Sequence, residues 1–224
     1  MLLATGFAHA LGICLALQEH GFSWCPPPCG SWIWLSRSVT KRNHRNIGGD
    51  LSNPWVRKSN KIVDRMCLLL IVLSWRKVWW VVEQPLSSTL FRYKSFLCLL
   101  QMCKDEFHLD VIRQFIWMGA FGHCLLKPSV LMGSWPELIT VKSTCRPGST
   151  GRTFERSVQQ HEKHELHRGQ WKLTRNVNGK KGILKKSAAY PKNFCEYIAG
   201  KVRRCSARSD PCDRIRIARR IGAK

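Results

Sequence analysis

The stretch FSWCPPPCGSWIWLSR, residues 22–37, decides the fold of the chain around it. Residues 22–24 predict a short buried strand, which the following prolines end because proline fixes φ and has no backbone N–H. Cys29 therefore stands on a rigid loop just after a strand. In open α/β sheets ligands bind beyond the carboxyl ends of the strands, so this thiol occupies a position suited to chemistry.

A second apolar run, VWWVV at residues 78–82, is followed by polar groups and a proline in the sequence EQP. If the two runs form adjacent strands, Cys29 and Glu83 lie side by side at one edge of the sheet. Glu83 also has two plainer interpretations, as a loop cap or as an ion-pair partner of Arg76 or Arg92. We predict an α/β fold with the pair of Cys29 and Glu83 at its functional edge.

Helical periodicity predicts helices on both sides of these strands, and alternation predicts a later hairpin. The predicted helices are residues 6–19, 56–74, 91–103 and 191–202, and the hairpin strands lie within residues 110–120 and 130–132. Residues 38–54 are polar and basic and predict a mobile surface loop next to the thiol. We expect Trp79 and Trp80 to pack in the sheet core rather than to stack on bases.

The formal net charge of +23 over 224 residues favours a polyanionic partner, with nucleic acid ahead of an anionic membrane and DNA ahead of RNA. Residues 145–224 hold 21 Lys and Arg against 6 Asp and Glu. The change in composition falls in KSTCRPGSTGRT, which is typical of a linker. We therefore predict an α/β domain at residues 1–142 and a basic, poorly structured extension at 143–224 that contains the last helix.

The 11 cysteines show no repeating framework, which favours reduced thiols and a nuclear or cytoplasmic location. Residues 1–17 are apolar enough to suggest a signal peptide, but no Lys or Arg precedes the core at 11–17, so secretion is not expected. The apolar run at 68–73 is too short to cross a membrane, and no transmembrane span is predicted.

Two sets of potential metal ligands occur late in the chain, namely His161, His164, His167, Cys195, Cys205 and Cys212. Zinc sites with strong sequence signals show tighter paired spacing than this. A solvated helix of mixed charge is the better interpretation of the histidine segment, and we predict no metal.

A thiol beside a carboxyl group suits cytosine-5 methylation. In that reaction a thiolate attacks C6 of the ring, and a carboxyl group contacts N3 and stabilises the covalent adduct. The base must first leave the duplex stack while a basic protein surface holds the backbone.

Three segments, in order, resemble the cytosine-5 DNA methyltransferases. PPPCGSW at 26–32 is similar to the Pro-Cys nucleophile loop of that family, and VVEQP at 81–85 is similar to its Glu-Asn-Val strand end. FIWMGAFGHCLLKPSVLMGSWPEL at 115–138 resembles the Tyr-Gly to Lys-Pro-Thr segment of phage-like and protist relatives. The resemblance spans residues 6–142, with a weaker echo in SAAYPKNF at 187–194.

The resemblance implies a Rossmann-like methyltransferase sheet, with Cys29 as the nucleophile and Glu83 as the carboxylate that holds the flipped base. Lys127 is then a contact to the backbone or substrate, and Arg37 and Gln84 are further candidates for substrate binding. The resemblance also implies S-adenosylmethionine as the cofactor, but it identifies no residues that bind it.

The sequence departs from the family pattern in two places. Gln84 stands where the family has asparagine, and nothing before Gly6 matches the strand, glycine-rich turn and acidic strand end that bind S-adenosylmethionine. We therefore expect a partial sheet in a degenerate or incomplete methyltransferase-like protein, inactive alone unless another polypeptide completes it. The alternatives are a non-catalytic nucleic-acid-binding protein and a decayed mobile-element fragment without selected function.

Overall fold

A computed structural model describes residues 3–121, 123, 127–141 and 190–207, together with the backbone of two short strands at 166–167 and 170–171. The helices are α1 (Ala4–Ala16), α2 (Arg37–Thr40), α3 (Pro54–Trp75), α4 (Lys94–Asp105) and α5 (Lys192–Ala207). The strands are β1 (Phe22–Trp24), β2 (Trp79–Pro85), β3 (Ile112–Trp117), β4 (Pro128–Gly133), β5 (Leu166–His167) and β6 (Gln170–Trp171). Short 3₁₀ helices follow several of these elements, at Trp34–Ser36, Leu90–Arg92, Met118–Phe121 and Pro136–Thr140.

The first four strands form one mixed sheet in the order β1-β2-β4-β3. Strands β1 and β2 are parallel, as the positions of Cys29 and Glu83 require, with Trp24 opposite Val81. Strand β4 is antiparallel to both of its neighbours, so β3 runs in the same direction as β1 and β2. The chain is therefore an α/β protein, and the predicted hairpin of β3 and β4 is confirmed.

Hydrophobic layers cover both faces of this sheet, because successive side chains of a strand point to opposite faces. Trp80 and Val82 of β2 belong to the cluster that includes residues of α1, α3 and α4. Val81 belongs to the other cluster, which includes Phe194 and Ile198 of α5. The core therefore draws on residues from both sides of the predicted boundary at 142, because α5 packs against the sheet.

Local sequence explains where the long helix α3 begins. Pro54 occupies its first turn, where a missing backbone N–H costs nothing, and the side chain of Asn53 accepts a hydrogen bond from the Trp55 backbone N–H. The buried residues of α3 include Val56, Leu70 and Leu73, all of them fully buried. The predicted helix at 56–74 is thus confirmed, and it begins two residues earlier.

The strand predicted at 78–82 is longer in the structure, where β2 continues through Pro85. The EQP sequence lies inside β2, where Glu83, Gln84 and Pro85 stand opposite Leu131, Val130 and Ser129 of β4. Strand β4 supplies this pairing from about fifty residues further along the chain, so local periodicity did not reveal it. As predicted, Trp80 is buried in the sheet core, and Trp79 is half-buried.

The segment at 38–54 is also packed more firmly than a mobile surface loop. The side chain of Arg42 is buried, and its guanidinium lies 3.5 Å from the centre of the Trp32 ring. It donates hydrogen bonds to the Ile47 carbonyl at 2.6 Å and to Oδ1 of Asn60 at 2.7 Å. Burial lowers the pKa of Arg42 to about 10. This arginine fixes the segment against α3, and it forms no ion pair with a carboxylate in the described part of the chain.

Among the described residues, no helix is both long and apolar enough to cross a membrane. The same residues contain no group of three or more His, Cys, Asp or Glu that would hold a metal ion. The predicted histidine segment lies outside the described residues apart from the backbone of its last member, His167. Most of the predicted basic extension, at 142–189 and 208–224, also lies outside them.

Candidate functional site

Glu83 lies near the carboxyl end of β2, opposite Leu131, on the face that α5 covers. Its residue exposure is only 5 %, an unusual environment for a carboxyl group. One oxygen, Oε2, accepts a hydrogen bond of 2.7 Å from the Tyr190 hydroxyl. The other oxygen, Oε1, is buried without a hydrogen-bond partner in the part of the chain that the structure describes. Glu83 is therefore held in place but retains an unused acceptor.

Tyr190 stands just before α5 and is the functional candidate that sequence reasoning did not name. Burial raises its pKa, and the charge of Glu83 and the hydrogen bond to it raise the pKa further. The phenol therefore stays protonated and acts as the donor. Its ring packs against Trp24 of β1 with the ring centres 5.8 Å apart. The echo segment SAAYPKNF contains this tyrosine and is the only signal that pointed to it.

Cys29 lies on the proline loop that follows β1, and its side chain is half-buried. Two hydrogen bonds fix the loop. Gln84 donates from Nε2 to the carbonyl of Pro27 at 2.8 Å, and the Trp32 backbone N–H donates to the carbonyl of Cys29 at 2.8 Å. Gln84 was predicted to bind substrate, but the structure commits its amide to the loop instead. Its Oε1 also accepts a hydrogen bond from the Ser88 hydroxyl.

The electrostatic environment holds Cys29 in its protonated form. Burial raises the pKa of the thiol, and the nearby charge of Glu83 raises it further. Lys127 opposes this effect and lowers the pKa, but burial is the larger influence. A thiol is a strong nucleophile only as the thiolate, so Cys29 is not activated in this arrangement.

Lys127 approaches the same group of residues from the start of β4. Its ammonium lies 5.1 Å from the centre of the Tyr190 ring, in a cation–π arrangement. Its backbone has a φ of +34°, in a region that residues other than glycine rarely occupy. Such conformations cluster at functional sites. The structure thus brings Cys29, Glu83 and Lys127 together and adds Tyr190.

Arg37, the remaining predicted substrate residue, does not belong to this group. Its guanidinium lies 4.4 Å from the centre of the Trp34 ring, and it lines a separate cleft with His44 and Arg92. After Cys29 the chain passes through the 3₁₀ helix Trp34–Ser36, and Arg37 begins α2. The role of Arg37 in substrate binding stays a prediction.

An apolar cavity of about 410 Å³ lies next to the site, between β1 and α5. It shares Tyr190 and Trp24 with the site and is bounded on the helix side by Phe194 and Ile198. Ligand pockets typically measure roughly 300–1,000 Å³, so this space has the size for a planar ring. Aromatic side chains form part of its wall, among them Tyr190, whose hydroxyl donates to Glu83.

The described residues do not fit S-adenosylmethionine. A cofactor with a nucleoside group is commonly bound where a parallel strand leads through a glycine-rich turn into a helix. Within the described ranges, β1 leads into the proline loop, and β2 leads into the sequence LSST at 86–89. Neither strand end offers that turn, so no step of a reaction is derived through this cofactor.

Comparison of the chain with protein-family models, with curated proteins and with solved structures gave no match.

Proposed function

We propose that the chain is a degenerate or incomplete cytosine-5 DNA methyltransferase-like protein that recognises an extrahelical cytosine and does not methylate DNA by itself. One observation carries the proposal. Glu83 is a buried carboxyl group with one oxygen held by Tyr190 and the other without a partner in the described part of the chain, beside the thiol of Cys29. A buried acceptor without a hydrogen-bond partner costs folding free energy, and a bound ligand that donates to it would remove that cost.

The chemistry of the carboxylate favours cytosine over thymine. Cytosine presents an amino donor at N4, which a carboxylate accepts, whereas thymine presents a carbonyl acceptor at the same position. Because Tyr190 holds Oε2, the free Oε1 of Glu83 has a fixed position for that contact. Neither base reaches a buried carboxylate from within a stacked duplex, so recognition requires a base that has left the stack.

The arrangement of the strands is compatible with this proposal. Strands β1 and β2 are adjacent and parallel, and the antiparallel β4 lies between β2 and β3. The resemblance to the methyltransferases predicts adjacent parallel strands behind the thiol and the carboxylate. The raised pKa of Cys29 supports the inactive form of the proposal, since a protonated thiol does not attack C6.

The test is binding to DNA duplexes that present one base opposite an abasic site, where unstacking costs least. The purified 224-residue chain is titrated against duplexes that carry cytosine or thymine at that position and are otherwise identical. We expect tighter binding to the cytosine duplex, by about tenfold for one well-placed hydrogen bond to a charged group. Glu83→Gln should abolish the difference, whereas Glu106→Gln, at an exposed position after α4, should preserve it.

Equal affinity of the unaltered protein for the two duplexes contradicts recognition by Glu83. A second measurement addresses catalysis separately, with tritium transfer from labelled S-adenosylmethionine into the same DNA. We expect no transfer. Label that enters the DNA and is lost in Cys29→Ala would overturn the inactive form of the proposal while leaving base recognition intact.

The rival function is non-catalytic binding of nucleic acid. It is favoured by the net charge of +23 and by a second cleft with three arginines that lies away from Cys29. A nuclear or cytoplasmic location follows from a nucleic-acid partner under either proposal. If the unaltered protein binds the cytosine and thymine duplexes equally well, and if that binding is sensitive to salt, the result favours this rival function.

A further inference from the structure

A second cleft of about 450 Å³ opens on the face of the sheet opposite Glu83. Its floor includes Met132 of β4, which pairs with Val82 of β2, whereas Glu83 pairs with the next residue, Leu131. Adjacent residues of a strand point to opposite faces, so the cleft and the thiol–carboxylate site lie on different faces of one sheet. The cleft takes no part in the function proposed above.

Three arginines from separate parts of the chain line this cleft. Arg37 comes from α2, Arg92 from the 3₁₀ helix after β2, and Arg113 from β3. None of them forms an ion pair within the described residues, where the ion pairs involve other side chains. The Nε of Arg37 is buried and lacks a hydrogen-bond partner among the same residues.

A fourth basic residue of the cleft, His44, is the hydrogen-bond partner of Arg92. Nη1 of Arg92 lies 2.6 Å from Nδ1 of His44. A guanidinium has donors and no acceptor, so the imidazole nitrogen must accept this bond. Among the described residues, Arg92 forms no ion pair, and those that line the cleft include no Asp or Glu.

The rest of the cleft is neutral. Its floor is apolar and consists of Phe91, Leu100, Val130 and Met132. The sequence SST at residues 87–89 also lines the cleft. Ser87 is exposed, whereas the hydroxyls of Ser88 and Thr89 donate to Oε1 of Gln84 and to the Trp32 carbonyl. The cleft therefore combines an apolar surface, the hydroxyl of Ser87 and the side chains of three arginines.

Guanidinium groups that line one cleft without a carboxylate repel one another, and an anion bound in the cleft relieves that repulsion. Arginine matches phosphate oxygens through two parallel hydrogen bonds, and it does so better than lysine. A ligand with a carboxylate would also balance the positive charge of the arginines. The apolar floor, however, favours a ligand with a flat ring attached to its anionic group. A nucleotide unit has both parts.

We propose that this cleft binds a nucleotide unit, with its phosphate against Arg92 and Arg113 and its base against the apolar floor. The shared chemistry is that of a phosphate ester with an attached base. A free mononucleotide and one nucleotide of a single-stranded nucleic acid both supply it, and the experiment below separates these sources.

The experiment measures binding of thymidine monophosphate and of a labelled single-stranded DNA of thymidines to the full chain by calorimetry and fluorescence anisotropy, because neither probe presents the cytosine that Glu83 is proposed to recognise. Arg92→Gln with Arg113→Gln removes two charges from the cleft. Lys58→Gln with Lys61→Gln removes two charges from the exposed side of α3 and serves as the matched control. The melting temperature of each variant, measured by circular dichroism, establishes that it is folded.

We expect the arginine variant to weaken binding of at least one probe about a hundredfold, since each charge-assisted contact contributes about a factor of ten. The lysine variant should weaken it much less. If the arginine variant loses affinity for both probes, the cleft is a site open to free nucleotides. If the mononucleotide does not bind and the variant loses affinity for the DNA alone, the cleft is a site for a strand.

Equal effects of the two double variants on both probes would overturn the proposal. They would show that binding depends on the overall charge of the protein and not on the cleft. If the glutamine variant does not fold, Arg92→Lys with Arg113→Lys keeps both charges and removes the paired hydrogen bonds. That variant should bind the responding probe about tenfold more weakly. Unchanged affinity in it contradicts the proposal. A result here leaves the base preference of Glu83 untouched, so the two proposals fail independently.

Discussion

The Tyr190 hydroxyl donates a hydrogen bond of 2.7 Å to Oε2 of Glu83 across 107 residues of sequence. This bond joins the carboxyl-terminal half of β2 to Tyr190, two residues before α5. It ties the segment at 190–207 to the sheet at the carboxyl group of Glu83. The bond fixes one oxygen of the carboxylate and leaves the other for a ligand.

Tyr190→Phe should lower the free energy of unfolding by about 1–3 kcal/mol, because it leaves a buried carboxylate oxygen without its donor. Urea denaturation of the full chain measures this change. Tyr197→Phe is the matched control, since the Tyr197 hydroxyl makes only a 3.4 Å contact to the exposed Thr140 carbonyl. Its effect should stay within about 0.5 kcal/mol. Additive effects of Tyr190→Phe and Glu83→Gln in a double-mutant cycle would show that the bond is not formed.

The reactivity of Cys29 should respond to its two charged neighbours in opposite directions. Because the pKa of Cys29 is raised, its thiolate forms only at a higher pH than that of an ordinary cysteine. Glu83→Gln removes a charge that raises this pKa, so the midpoint of alkylation by iodoacetamide should move to lower pH. Lys127→Gln should move the midpoint to higher pH. Peptide mass spectrometry from about pH 7 to about pH 10 follows the reaction.

The midpoint, rather than the absolute rate, is the relevant quantity, because half-burial slows alkylation at every pH. The exposed Cys98 provides an internal reference in the same samples. Identical midpoints for Cys29 in the unaltered protein and in Glu83→Gln would mean that the two groups do not interact.

Gly133 should tolerate no side chain. A Cβ at this position of β4 would lie 2.0 Å from the Trp80 carbonyl oxygen and 2.8 Å from the Cα of Val81. Gly133→Ala must push β2 and β4 apart and should destabilise the protein by about 3 kcal/mol or more. In contrast, a Cβ at Gly12 in α1 meets nothing within 4 Å. Gly12→Ala should stabilise the chain by about 0.5–1 kcal/mol, because alanine favours a helix interior. Thermal unfolding compares the two.

Binding of DNA should weaken by at least about tenfold when salt rises from about 50 mM to about 200 mM, because phosphate contacts release counterions. Removing residues 208–224, which hold 6 Lys and Arg against 2 Asp and Glu, should reduce the slope of the logarithm of affinity against the logarithm of salt. This truncation leaves α5 in place, whereas a cut at residue 145 would remove Phe194 and Ile198 from the core. Affinity that does not change with salt would contradict an electrostatic mode of binding.

The sequence by itself determined the local structure. Prolines ended β1 after Trp24, and helical periodicity located α1, α3, α4 and α5 to within a few residues, because chain breakers and amphipathic patterns act over short distances. The sequence also indicated Cys29, on the proline loop after β1, and Glu83, next to the apolar run of β2, although β2 itself continues through Pro85. The adjacent parallel pairing of their strands agrees with that prediction.

Only the tertiary structure decided which distant groups meet. The pairing of β4 with β2 extended that strand through Pro85, and burial turned Gln84 toward the Pro27 carbonyl instead of a ligand. The contact of Tyr190 with Glu83 and the separation of Arg37 from Cys29 also follow from packing. Such contacts depend on how the layers close around the sheet, because a long-range hydrogen bond leaves no periodic trace in either partner's local sequence.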